Sequence, residues 1–219
     1  EKNNITQGSI FGQLLLFFFP ILFGTFFQQL YNTADAVVVG HFVGKQALAA
    51  VGGTTSTLIN LLVGFFVGLS SGATVVISQY YGARKPDKVH WAVHTAVAFS
   101  LMGGVLFMVI GIVFAHMALS AMHTPEDVLN YAVVYIRIYF LGMIPNLIYN
   151  MGAGVLRAVG DSKRPLYFLV FSACVNTVLD LVFVVKLHWG IAGVAWATVI
   201  AQGLSAVMIL VVLFRANGA

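Results

Sequence analysis

The sequence predicts an all-α membrane protein, a single bundle of six transmembrane helices over residues 1–219. Three observations lead there. First, 60% of the residues are hydrophobic, only 8% are charged and the mean hydropathy is +0.94; a soluble chain of this size has no interior large enough to hide that much apolar surface. Second, the apolar runs are continuous over the roughly 20 residues a membrane helix needs, where barrel strands would alternate over about ten. Third, the charges punctuate the chain, dividing it into spans at about 10–43, 47–81, 89–115, 128–156, 165–186 and 190–214. Several spans exceed one crossing, so they tilt, kink or project into water.

The first span carries a proline and a carboxylate inside its apolar run, FPILFGTFFQQLYNTADAVVVGHFVG. Pro20 has no N–H for the carbonyl of Leu16, which predicts a kink in this helix. Asp35 lies fifteen residues further on, about 22 Å along a helix. An ionised carboxylate facing hydrocarbon costs on the order of 3 kcal/mol, so an intramembrane Asp faces a partner or a watery cavity. Gln28, Asn32 and Asp35 form a polar stripe on this span. In the second span Gly64 and Gly68, at helical spacing, predict close helix approach, as do Gly152 with Gly154 and Gly190 with Gly193 later on.

The third span opens with His90 and His94, one turn apart, where a metal would find two ligands and no acidic or cysteine neighbour in sequence; they are read as interfacial residues. In the fourth span Arg137 lies two residues from both Tyr135 and Tyr139, roughly 200° around the helix from each, so it faces away from them. Ser172, Asn176 and Asp180 recur at i, i+4, i+8 in the fifth span, and Thr198, Gln202 and Ser205 at i, i+4, i+7 in the sixth. Each of these helices therefore has one polar stripe.

Orientation follows from the loops. With the N-terminus cytoplasmic, Lys2, Arg84, Lys85, Lys88, Arg157, Lys163, Arg164 and Arg215 face inward and only Lys45 and Lys186 outward. Both termini are then cytoplasmic. The first and fifth spans run outward and the second, fourth and sixth inward, so Asp35, Asp180, Thr198 and Tyr135 all reach a level on the order of 9–12 Å below the outer ends. Two carboxylates backed by amide and hydroxyl oxygens at one depth suit a proton or a small hard cation such as Na+. Tyr31, Tyr139 and Tyr149 are candidates to line a path for a flat organic cation.

Other classes drop out. The net charge of +4 reflects loop lysines and arginines that membrane orientation requires, so no nucleic acid is expected. Cys174 is the only cysteine, which excludes an intrachain disulfide. No nucleotide-binding G-x-x-x-x-G-K-[ST], no H-E-x-x-H and no Ser, His and Asp grouping with an elbow motif is present; neither an enzyme nor a cofactor is expected, and no metal beyond Na+ at the carboxylates. The chain opens at Glu1 with no cleavable signal pattern before the first span.

The stretches NTADAVVVGHFVGKQALAAVG (32–52), GVLRAVGDSKRPL (154–166), NTVLD (176–180) and GIAGVAWATVIAQ (190–202) resemble the N-terminal lobe of multidrug and toxic compound extrusion (MATE) transporters. The spacing of Pro20 to Asp35, the Asn176–Asp180 turn and Thr198 look most like the prokaryotic, DNA-damage-inducible branch. The resemblance implies antiport of organic cations or drugs in a bacterial inner membrane. It also implies a cation or proton site on Asp35, Asn176, Asp180 and Thr198. Tyr135 or Tyr139 support that site, and Asn32, Gln28 and Gln202 line the site or the substrate cavity. Site filling would bend the first helix at Pro20. The family has two six-helix lobes, so the resemblance implies a second lobe as partner beside membrane lipid: either a missing C-terminal half or a second copy. A lipid-linked-sugar flippase of the same superfamily would need a basic central cavity, which these nearly cation-free spans lack. A non-transporting scaffold or isolated lobe is the reading from a different class.

Overall fold

The computed structural model describes residues 7–216; Lys2, one of the residues assigned to the inner face, lies outside them. Eight α-helices follow in order: α1 (Ile10–Phe42), α2 (Lys45–Gly52), α3 (Thr54–Gly82), α4 (Pro86–Ala121), α5 (Glu126–Leu141), α6 (Met143–Ala158), α7 (Lys163–Asp180) and α8 (Ile191–Ala216), with a π-helical turn (Leu181–Lys186) continuing α7. Among the described residues there is no strand. Five stretches are long and apolar enough to cross a membrane, and six when α5 and α6 count as one bent span. The chain is thus a multi-pass membrane protein of the predicted class.

The boundaries differ from the sequence reading where glycine interrupts an apolar run. The span expected over 47–81 begins as the short helix α2 and restarts as α3 after Gly53, where a Cβ would sit 2.6 Å from the carbonyl oxygen of Ala49. The span expected over 128–156 is two helices bent by 53° at Gly142. Hydropathy sees neither break, because glycine is neutral on such scales; at both breaks glycine is required because a Cβ would meet the carbonyl of Ala49 or the side chain of Val199. Polar caps are local. The Ser9 hydroxyl accepts from Gly12 N at 3.3 Å, Pro86 occupies the first turn of α4, and Asp161 Oδ1 accepts from the backbone of Lys163 and Arg164 at 3.2 Å each to start α7. α1 runs unbroken through Pro20.

Helices α6 and α8 form the middle of the bundle, packed against each other and flanked by α3 and α4 on one side and α5 and α7 on the other. α1 lies at an edge, chiefly against α7. Close approach is made at glycines: an added Cβ at Gly104 would meet Ile144 Cα at 2.9 Å, at Gly193 it would meet Phe183 Cβ at 3.0 Å, and at Gly152 it would collide with Ile209. Gly154 similarly abuts Thr74. Gly64 and Gly68 do not behave as expected: both lie on an exposed face of α3 with nothing within 4 Å of an added Cβ. Small residues permit a close contact but cannot supply the neighbour. Two apolar clusters fill the bundle, one around Val39, Ile136, Phe140 and Val194 and one at the end of the basic loops around Ile77, Val93, Leu156 and Ile209.

Candidate cation site

Three helices bring polar residues to one place between the apolar clusters. α1 is an edge helix, so its buried strip is narrow, and Asp35 is one of only three residues in it, with Val38 and Val39. Asn176 and Asp180, one turn apart on α7, and Thr198 on α8 complete the group; all four are nearly inaccessible, with Asn176 and Asp180 fully so.

The Asn176 amide is the hub. Its Nδ2 donates to Asp35 Oδ1 at 2.7 Å and lies 3.4 Å from Asp180 Oδ2, bridging the two carboxyl groups from below. The Thr198 hydroxyl lies 3.3 Å from Asp35 Oδ2, 3.4 Å from Asn176 Oδ1 and 3.1 Å from the carbonyl of Val194, so its one proton chooses among three acceptors. Asp35 and Asp180 are joined through the one Asn176 amide. Asp180 Oδ1 and the Tyr31 hydroxyl are buried there without a partner. Asp180 is the last residue before the π-helical turn, an uncommon element that recurs at functional sites because it re-aims the neighbouring residue.

Charge balance defines what this arrangement can do. Among the described residues the one ion pair is the surface contact Arg164–Asp161, at 3.3 Å, so no basic side chain neutralises the buried carboxyl pair. Two carboxylates this close and this buried need a compensating positive charge. The donor set, carboxylate, amide and hydroxyl oxygen, fits a proton shared between carboxyl groups or a hard cation of the Na+ type.

The other sequence candidates divide. Tyr135 and Tyr139 on α5 are buried, stacked with ring centres 6.2 Å apart, and near enough to Asp35 to experience its charge. Tyr139 accepts from Asn146 Nδ2 at 3.1 Å. Gln202 presents a buried Oε1 without a partner. Gln28 and Asn32, by contrast, are exposed and do not join the buried group; Asn32 lines an open cleft of about 640 Å³ with Thr33, Val37 and His41. The stripe meets the buried group only at Asp35, because α1 is covered chiefly by α7 and both residues lie off the narrow buried strip. The residue of α1 that does turn toward the site beside Asp35 is Tyr31, one turn earlier, which the sequence offers only as a pathway residue. Asn146 and Asn150 were missed altogether, although their i, i+4 spacing in IPNLIYNMG is the same signal that marks Asn176 and Asp180. Arg137 is exposed on the opposite face of α5, as its angle predicts, and His90 and His94 are exposed with ring centres 4.2 Å apart. Ser172 and Ser205 hydrogen-bond to each other two turns below the site, joining α7 to α8.

The family model MatE matches residues 20–182. The chain belongs to the MatE family. Over 92% of its length it is 33% identical to the probable multidrug resistance protein YpnP of Bacillus subtilis, covering 45% of that protein, and over 84% it is 29% identical to DNA damage-inducible protein F of Escherichia coli, covering 40%. A solved structure described as MATE in the bent conformation superposes with a TM-score of 0.88 at 26% identity, over 97% of this chain and 47% of that one. This MatE chain therefore spans about half the length of the relatives it matches, the extent of a single six-span lobe.

Proposed function

We propose that this chain is the N-terminal lobe of a proton- or Na+-coupled multidrug antiporter in the bacterial inner membrane, with both termini cytoplasmic and Asp35, Asp180, Asn176 and Thr198 as the cation site. The observation that carries the reading is a buried carboxyl pair, hydrogen-bonded through one amide, with no basic side chain among the described residues to neutralise it. A structural pair would be built more cheaply from neutral groups. A pair that must exchange a cation has reason to be acidic.

The coupling follows from which helices hold the two carboxyl groups. Asp35 is on edge helix α1, and Asp180 with Asn176 is on α7, which is braced by α8. When the site is empty, like charges push α1 away from α7. A bound proton or Na+ removes that repulsion and draws α1 in. Pro20 lies fifteen residues away, where the missing backbone hydrogen bond makes the helix easiest to bend. Movement of the outer half of α1 then changes the space available to an organic cation between this lobe and a second one, the missing half or a second copy. The names of the relatives, multidrug resistance proteins, and the bent conformation of the solved relative support this reading.

The test is uptake of a fluorescent organic cation into proteoliposomes under an imposed proton or Na+ gradient. It compares this chain, this chain joined to a second lobe, and the joined protein with Asp35→Asn. Gradient-driven uptake by the joined protein, lost in Asp35→Asn, is expected. Equal gradient-driven uptake with and without the carboxylate would sink the assignment and favour a scaffold role for this layer.

A further inference from the structure

Below the carboxyl pair the polar residues do not stop. One turn deeper on α8, Gln202 carries an Oε1 that is buried and has no partner. Facing it is Tyr139, one turn deeper on α5 than Tyr135. The Tyr139 hydroxyl accepts from Asn146 Nδ2 at 3.1 Å, and Asn146 Oδ1 in turn accepts from Asn150 Nδ2 at 2.6 Å, with the same Nδ2 2.9 Å from the Asn146 carbonyl. Asn146 is buried while Asn150 is half-buried, so the ladder begins in the closed site and ends at the surface of the lobe. It crosses the break between α5 and α6. At the break Gly142 approaches α8 so closely that a Cβ would lie 2.9 Å from Val199 Cγ2 and 3.2 Å from Gln202 Oε1. Gly142, where α5 ends and α6 begins, thereby sets the break beside the unpartnered Gln202 oxygen. A broken helix beside an orphan buried oxygen is a favourable place for a cation in transit, since irregular backbone at membrane depth is tolerated where it lines a polar path.

We propose that Tyr139, Gln202, Asn146 and Asn150 line the route by which the cation enters and leaves the Asp35–Asp180 pair. This rests on that pair being the cation site. The hydroxyl and amide groups do not bind the ion as a second station; they keep a thread of water wet enough for a proton or Na+ to pass. Asn150 is the mouth of the route and the unpartnered Gln202 oxygen its middle. The titratable side chains set nearest the carboxyl pair are Tyr31 of α1 itself and Tyr135 and Tyr139 of α5. None of the asparagines titrates, so substituting them alters the passage and leaves the destination alone.

The distinguishing measurement separates rate from equilibrium. In purified chain in lipid nanodiscs, the carboxylic-acid stretching band reports protonation of the pair, followed after a rapid pH jump and in a static titration. Asn150→Leu, at the half-exposed mouth, is expected to slow proton uptake by about tenfold or more, equivalent to about 1.4 kcal/mol of added barrier, with the titration midpoint unchanged. Asn150→Ser restores the rate. Asn146→Leu slows it further if the variant folds, and Asn150→Leu alone decides if it does not. Wild-type rates in Asn150→Leu overturn the route. A pH-dependent band that persists at full size in both Asp35→Asn and Asp180→Asn overturns the cation-site reading instead, so the two failures are distinguishable.

Discussion

Replacing Asn176 with Leu removes the hub of the buried layer while keeping the branching and the number of side-chain heavy atoms, and the pH dependence of its cost reads out the charge on Asp35. The amide donates to Asp35 Oδ1 at 2.7 Å from a position with no solvent access. A hydrogen bond to a charged group contributes about 1.5–3 kcal/mol, whereas polar contacts between membrane helices average about 0.6 kcal/mol and reach about 1.7. The two figures separate the protonation states. While Asp35 is a carboxylate, Asn176→Leu should cost about 2 kcal/mol or more, because the bond is lost and a charge is left uncompensated. Once Asp35 is protonated, the bond is between neutral groups and the cost should fall to about 0.6 kcal/mol. The stabilisation by Asn176 is thus present at high pH and diminishes as pH falls through the titration of the pair. Reversible unfolding in mild detergent at alkaline and acidic pH, in the wild-type and Asp35→Asn backgrounds, makes a double-mutant cycle. A cost that is the same at both pH values and in both backgrounds would refute the reasoning, because it would make Asn176 a packing residue indifferent to its neighbour's charge.

Other substitutions test the frame around the site. Gly152→Ala drives a methyl into Ile209 at the contact of α6 with α8 and should destabilise the fold by about 1–3 kcal/mol; an unchanged unfolding midpoint would show that the contact relaxes freely. Pro20→Ala returns an N–H to the carbonyl of Leu16 and should stabilise α1 by up to about 3 kcal/mol while abolishing the difference in α1 position between cation-loaded and cation-free protein, measured by paired spin labels on α1 and α7. A persisting difference would move the hinge elsewhere. In a Cys174→Ala background, Lys45→Cys should react with an impermeant maleimide on intact cells and Lys85→Cys only after permeabilisation; the reverse pattern would invert the proposed orientation.

The layer of Asp35, Asn176, Asp180 and Thr198 was legible in the sequence because two local periodicities suffice to find it. Charged loops count off the spans, and counting residues from the loop gives depth; the 3.6-residue turn then puts Asn176 one turn below Asp180 on the same face. Both quantities belong to a single helix and survive whatever the helices pack against. The same logic recovered the outward face of Arg137. It did not show that Gln28 and Asn32 stay outside the buried group, because a stripe on one helix does not say which part of it a neighbour covers, and α1 is covered chiefly by α7. It failed for Gly64 and Gly68, which allow a close contact without providing the other surface.

By itself, then, the sequence determined that this chain is a bundle of membrane helices, how far each polar residue stands from the end of its span, and which family it resembles, since hydropathy, helical period and motif spacing are all one-dimensional. Only the tertiary structure decided the 53° break at Gly142, the exchange of Asn32 for Tyr31 beside Asp35, and the ladder from Tyr139 to Asn150. Each of these depends on a contact between helices far apart in sequence, and the close fit of α5 and α6 against Val199 and Gln202 of α8 is a property of the packed bundle that no stretch of chain carries alone.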